Sequence, residues 1–310
     1  MFEGMFEIFN EEEKEKQAQE TEITYPSDSA GGPGIIVVSL GGSVIVQEKP
    51  DPGAISAIAQ CLNELIRSGQ KLVLVVGGGR TARNYVNAAK GLGANNFELD
   101  ELGIMATRMN ASLLINSIDN AFPEVLTEVK KSSEILDMGK TPVFGGIMPG
   151  FTTDAVAALI AEYLGARFIN LSNVDGIYTA DPSVFPNARM YCELSYGKLL
   201  EILTQNAMKP SQNLILDLPA AMILRRSGLT AFFLSGHDME NFKAAVQGMP
   251  FKGTVVSKDS QDSFGGEETP ARKRPVRKKA QKRPARKRPK GNANFLDEED
   301  QDIDPSQIRF

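Results

Sequence analysis

The sequence has no tryptophan, a single histidine (His237) and only two cysteines, Cys61 and Cys192, in 310 residues. One histidine excludes histidine-rich metal centres, and neither cysteine has a partner at metal-ligand spacing. The two thiols lie far apart in apolar surroundings, which points to buried free cysteines in a reducing compartment rather than a disulfide. No apolar run approaches the ~20 residues needed to cross a bilayer. Residues 1–20 are acidic and lack a basic segment followed by an apolar one, so they do not read as a signal peptide. The expected location is cytoplasmic. A Walker pattern is missing as well, because no Gly-Lys-Ser/Thr follows four spacer residues.

Charge is present but unevenly placed. Residues 1–30 carry nine acidic and two basic side chains, whereas 31–258 carry twenty and nineteen, so the net charge of −5 comes mainly from the N-terminal segment. Residues 1–33 read as an acidic disordered extension with a marginal helix near 8–20. From Asp259 the composition changes again. Twelve Lys or Arg fall within 271–290, punctuated by Pro and Ala, and six acidic residues fall within 297–304. Such blocks cannot bury a core, so 259–310 reads as a disordered tail. The basic block suits contact with nucleic acid or another anion through counterion release. It equally suits folding back on the chain's own acidic ends, since no aromatic is interleaved for base stacking.

Between these ends lies a segment able to bury a real core. Gly34 to Leu40 and Lys71 to Val76 are continuous apolar runs, the mark of strands buried on both faces. Each ends in glycine: Gly41-Gly42-Ser43 after the first, Gly77-Gly78-Gly79 after the second. A helix follows each time, one from Pro50-Asp51-Pro52 to about Arg67 and one opening at Arg80-Thr81-Ala82-Arg83. Repeated strand–glycine–helix units imply a parallel sheet with helices on both faces. Further strands are expected at Pro142-Val143-Phe144, Arg167 to Leu171, Ala231 to Leu234 and Gly253 to Val256. Helices are expected at about 98–118, 153–164, 195–205, 220–227 and 239–247.

Four loops thus sit at the C-terminal ends of parallel strands: 41–43, 77–83, 145–153 and 172–181. Ligands of open α/β sheets bind along that edge. The third loop, Gly145-Gly146-Ile147-Met148-Pro149-Gly150-Phe151-Thr152-Thr153-Asp154, feeds the positive end of a helix. It reads either as an anion site or as an ordinary capped helix, because Thr152, Thr153 and Asp154 are all capable N-caps. Gly77, Gly79 and Ala82 also satisfy a dinucleotide fingerprint, with Glu98 or Asp100 about twenty residues on. That acid should end the next strand, yet the region around it is helical, so the dinucleotide reading fails. Phosphoryl transfer fits better, since it needs two phosphate-bearing ligands held in line and their charge neutralised. Arg80 and Arg83, on the first turn after the triple glycine, are the candidate cations. Their bland alternative is a solvated helix face.

Five motifs in order make the chain resemble the amino acid kinase family, and within it the archaeal-type uridylate kinases, over about residues 35–256. They are Val38-Ser39-Leu40-Gly41-Gly42-Ser43-Val44, Val75-Val76-Gly77-Gly78-Gly79-Arg80 with Arg83, Leu102-Gly103-Ile104 through Thr107-Arg108-Met109-Asn110-Ala111, Pro149 to Ala158, and Asn173-Val174-Asp175-Gly176-Ile177-Tyr178-Thr179-Ala180-Asp181-Pro182. The resemblance implies a three-layer αβα sandwich around a mostly parallel sheet at 34–258, and transfer of the γ-phosphate of ATP to UMP with Mg²⁺ carried by the ATP phosphates. It implies that Gly78, Asp100 and the loop Ile147, Met148, Pro149, Gly150, Phe151, Thr152 and Thr153 hold UMP. Gly41, Gly42, Gly79 and Arg83 would face the ATP phosphates, and Ser172, Tyr178 and Asp181 its nucleoside. A homohexamer is implied too. Tyr178 is equally a core or turn tyrosine. Asp175 and Asp181 could touch Mg²⁺ or ribose, or simply form turns.

Two departures stand out. Many family members carry Lys on the first strand where this chain has Ser39, which leaves Arg83 and Arg80 as the nominated catalytic charges. Lys209-Pro210-Ser211 replaces a loop richer in glycine and serine. The alternatives to a UMP kinase are a related small-molecule kinase and a non-catalytic nucleotide-binding or storage protein on the same fold.

Overall fold

The computed structural model describes residues 22–23, 34–182, 184–185, 187–207, 215–258 and 260–264. The expected helix at 8–20, the basic block at 271–290 and the Lys209-Pro210-Ser211 departure lie outside the described residues.

The apolar runs form strands because nothing in them competes with burial on both faces. β2 (Ile36–Leu40) and β3 (Leu72–Val76) are buried at every position. β4 (Val143–Phe144) and β5 (Arg167–Ser172) follow, then β6 (Tyr191–Ser195), β7 (Ala231–Ser235), β9 (Thr254–Ser257) and β10 (Ser263–Phe264). The sheet has the order β10-β6-β9-β7-β5-β2-β3-β4. β4, β3, β2, β5 and β7 run parallel, while β9 runs antiparallel to β7. β1 (Glu22–Ile23) pairs separately with β8 (Phe251–Lys252). The sheet runs past the expected boundary at 258 through β10, which pairs with β6.

Alternate residues of each central strand serve opposite helical layers. Ile36, Val38 and Leu40 of β2 join Leu72 and Leu74 of β3 in a core with α2 (Pro52–Arg67) and α9 (Met239–Gln247), which contribute Ile58, Leu62 and Phe242. Val37, Val73, Val75 and Phe168 join a second core with α6 (Thr153–Leu164), α7 (Tyr196–Ala207) and α8 (Leu218–Ser227), which contribute Ile160, Leu199 and Leu224. The strand period of two therefore fixes which layer each residue meets. Ser39 and Asn170 fall on the α6 side by the same count.

The helix ends follow their sequence signals. Asp51 caps α2 through Gly53 N (2.9 Å), with Pro52 in the first turn. α4 (Asn96–Ile115) opens on a reciprocal box, Asn95 with Glu98. α6 closes on Gly165 in the left-handed region. A four-residue turn, α1 (Gly42–Ile45), follows β2, α3 (Gly79–Gly91) follows β3, and α5 (Lys131–Asp137) precedes β4. Two features escape the sequence expectations. β6 buries only Tyr191 and Leu194, with Cys192, Glu193 and Ser195 half-buried, and gives no apolar run. β9 reads the same in either direction, because a strand buried on both faces carries no directional signal.

Candidate active site

The parallel strands bring their trailing loops to one edge, where a cleft of about 800 Å³ opens. Of the expected residues, Gly41, Gly42, Gly78, Gly79, Arg80, Arg83, Thr153, Ser172, Tyr178 and Asp181 line it. Asp100 and the stretch Ile147 to Thr152 do not line it.

The glycines are required by one another. A Cβ on Gly42 would lie 2.0 Å from Gly79 N, and one on Gly79 would lie 2.3 Å from Gly42 O. Gly79 also has φ of +58°, which favours glycine. Gly41 N donates to Leu171 O (2.8 Å), and Gly77 N donates to Leu40 O (2.9 Å). The loops after β2 and β3 thus touch backbone to backbone, and that contact brings the N-terminus of α3 to the cleft. No side chain caps α3, so the positive end of its dipole is offered to an anion. Arg80 lies 3.7 Å from Glu48, both half-exposed or more. Arg83 is exposed at the rim and has no partner among the described residues.

α6 brings a second helix N-terminus. Thr152 Oγ1 accepts from Ala155 N (3.2 Å) and donates to Asp217, which itself caps α8. The Thr152 hydroxyl is therefore engaged in capping, while Thr153 faces the cleft. Asp154 lies on the cleft floor. Its Oδ1 accepts from Ser39 Oγ (2.6 Å) and from Asn170 Nδ2 (2.9 Å). Burial pushes its carboxyl up to about 6, and Asp217 adds to the rise while the Ser39 and Asn170 bonds oppose it. Ser39, which stands where many family members have lysine, has its hydroxyl committed to this carboxylate.

Tyr178 forms a backbone β-bridge with Met190 and lines the cleft, as do Leu199, Ile202, Leu203 and Ile215. Burial raises its phenol, aided by Asp175 and opposed by Lys252. Asp175 itself pairs with Lys252 Nζ at 2.7 Å, so this carboxylate is taken up by an ion pair. The apolar residues on α7, together with Asn170, are cleft residues that the sequence reading missed, whereas Asn173 lies in the expected 172–181 loop. An apolar helix face reads as core until the fold shows which part of it borders a cavity.

α4 holds both glycine loops from outside. Asn110 Nδ2 donates to Gly77 O (2.9 Å) and Gly78 O (3.1 Å). Asp100 Oδ2 accepts from Gly150 N at 2.8 Å. Thr107 and Arg108 bind the start of the 145–153 loop.

The model of the amino acid kinase family matches residues 34–235.

The chain belongs to the amino acid kinase family.

Within that family it is 40% identical to a uridylate kinase from Thermococcus sibiricus over 223 residues, covering 71% of this chain and 98% of the relative. Among solved structures, a uridylate kinase from Archaeoglobus fulgidus is 39% identical, with a TM-score of 0.64 over 72% of this chain and 99% of that one. A UMP kinase from Bacillus anthracis, 20% identical with a TM-score of 0.63, shares the fold. The chain thus groups with archaeal uridylate kinases across almost their whole length. Among the described residues no helix is long and apolar enough to cross a membrane, and Cys61 and Cys192 are free thiols.

Proposed function

We infer that the protein transfers the γ-phosphate of ATP to UMP, giving ADP and UDP, a step of pyrimidine nucleotide biosynthesis. The observation that carries this reading is one cleft lined by the loops after β2, β3 and β5 and by Thr153 at the start of α6, with the uncapped N-terminus of α3 beside it, in a chain about 40% identical to uridylate kinases. Two helix dipoles and exposed arginines suit two phosphate-bearing ligands in line, and the reaction demands little else of the protein.

In this reading Gly41, Gly42, Gly79 and Arg83 meet the ATP phosphates, and Ser172, Tyr178 and Asp181 its nucleoside, with Leu199, Ile202 and Leu203 beside the base. Arg83 and Arg80 supply charge to the transferring group. Gly78, Asp100, Ile147, Met148, Pro149, Gly150, Phe151, Thr152 and Thr153 form the UMP side. Thr152 acts there through its backbone and its cap, because its hydroxyl is engaged. Thr153 acts through its side chain.

Mg²⁺ enters with ATP. Among the described residues no group of three or more His, Cys, Asp or Glu could hold an ion. Bound through the ATP phosphate oxygens, the ion would neutralise the charge developing on the γ-phosphate.

The protein is proposed to work in the cytoplasm as a homo-oligomer, a hexamer by kinship. Phe97, Met105 and Met109 stand 59%, 53% and 60% exposed on the outer face of α4, a stripe that a second copy would cover. The kinase domain is proposed to start at about 34 and to run past the expected end at 258 as far as Phe264, because β10 pairs with β6.

The test is coupled ADP release with UMP, CMP, N-acetylglutamate and isopentenyl phosphate as acceptors. UMP should give by far the highest kcat/KM. Turnover only with a non-nucleotide acceptor would overturn the reading, as would tight ATP binding without turnover.

A further inference from the structure

Gly145 and Gly146 lie flat against α4. A Cβ on Gly145 would come 2.8 Å from Thr107 Oγ1 and 2.9 Å from Arg108 N, and one on Gly146 would come 2.9 Å from Ile104 Cγ1. In that close contact Gly146 N donates to Thr107 Oγ1 (2.6 Å), and Thr107 in turn donates to Ile104 O (2.6 Å). Arg108 Nε donates to Gly146 O (3.0 Å) and Nη2 to Ile147 O (3.2 Å). Two neighbouring side chains therefore fix three polar groups of the loop backbone, Gly146 N, Gly146 O and Ile147 O.

The consequence follows from peptide geometry. In a trans peptide the carbonyl of one residue and the N–H of the next point in opposite directions. With the carbonyls of Gly146 and Ile147 both drawn to Arg108, the N–H groups of Ile147 and Met148 are turned away from α4. Neither has a protein acceptor among the described residues. Two adjacent unpartnered amides facing one way make a site for anionic or carbonyl oxygen. Arg108 is half-buried and Thr107 is 8% exposed, so the arrangement is built into the packing rather than laid on the surface.

We propose that Thr107 and Arg108 are positioning residues of the acceptor loop: they aim the Ile147 and Met148 amides at oxygen atoms of the bound acceptor without touching it themselves. The proposal rests on the reading of 147–153 as the acceptor side. It distinguishes Arg108 from Arg80 and Arg83, whose exposed guanidinium groups stand at the cleft.

The experiment compares steady-state kinetics of the full-length wild-type protein with Arg108→Met, Arg108→Lys and Thr107→Val. Arg108→Met keeps the stem but removes both donors, and should raise KM for UMP by about tenfold, with kcat reduced less and KM for ATP little changed. Arg108→Lys restores one donor and should recover part of the loss. Thr107→Val, which is close in shape, should shift KM for UMP in the same direction by a smaller factor. A purely structural role would lower the melting temperature and the active fraction, and so kcat, leaving KM for UMP alone. That outcome would overturn the proposal, and so would an equal rise in KM for both substrates. A wild-type protein that uses another acceptor would sink the UMP assignment instead. The same KM split, read with that acceptor, would still decide the role of Arg108.

Discussion

Ser39 and Asn170 stand opposite each other in register on two adjacent parallel strands, and both donate to the same oxygen of Asp154. Three elements, β2, β5 and the first turn of α6, are thereby joined at one carboxylate on the cleft floor. Asn170 Oδ1, pointing the other way, is buried with no partner in the described structure. Holding a desolvated carboxylate here is costly, and the cost is measurable.

The carboxyl of Asp154 is raised from its ordinary value to about 6. Between those two values the native state keeps a proton that the unfolded chain has lost, so stability falls as pH rises through that window. Above about pH 6 the penalty is complete, at most about 3 kcal/mol for a shift of this size. Asp154→Asn keeps an acceptor for Ser39 and Asn170 and removes the charge. It should melt higher than the wild type at pH 7.5 (thermal unfolding, ~0.1 M salt), with the difference fading below about pH 4. Turnover should fall, as where a site keeps a charge against its own stability. Equal melting temperatures at neutral pH would show that the carboxylate carries no penalty.

Gly42→Ala would drive a methyl group to 2.0 Å from Gly79 N. The two loops must separate, with an expected loss of about 3 kcal/mol or more in stability and loss of ATP binding. Gly91→Ala is the control, because no atom lies within 4 Å of its added Cβ. That substitution in α3 should be neutral or stabilising by about 0.5–1 kcal/mol. Denaturant titration and ATP calorimetry on the two variants check both statements.

Thr152 and Thr153 should separate cleanly. Thr152→Val loses the cap on Ala155 N and the link to Asp217, costing about 1 kcal/mol of stability. Thr153→Val should leave stability nearly unchanged and raise KM for UMP. The reversed pattern, with Thr152→Val changing only KM, would show that its hydroxyl serves the ligand.

The Cys61 thiol is pushed up to about 11, first by burial, with Lys243 opposing and Glu240 and Glu64 reinforcing the rise. Burial raises Cys192 as well. At pH 8 both should react far more slowly with a thiol reagent such as dithiobis-nitrobenzoate than the denatured chain, since the thiolate is the nucleophile. A fast-reacting equivalent in the native protein would contradict this placement.

The sheet and the glycine loops were legible in the sequence because each signal is local. An uninterrupted apolar run means a doubly buried strand, and glycine directly after it means a bare-backbone turn. Asn170 was not legible. A single polar residue inside Phe168-Ile169-Asn170-Leu171 acquires meaning only through register with Ser39 and the approach of α6. Leu199, Ile202, Leu203 and Ile215 look like core, and only the packing shows which of them border the cleft. Thr152 was half legible. Its cap could be read, but its bond to Asp217 joins residues 65 apart in sequence. Arg108 was legible only as a member of the 102–111 motif, and its task was not, because its partners are backbone carbonyls.

In the proposed reading this cleft moves the γ-phosphate of ATP onto UMP. The most direct measurement follows radiolabelled γ-phosphate from ATP into product, with nucleotides resolved by chromatography, for the wild type and for Arg83→Met. Label should appear in UDP with the wild type, drop by about a hundredfold or more with the variant, and be absent from UDP when UMP is omitted. Label appearing only as inorganic phosphate, or UDP formed equally well without Arg83, would contradict that reading.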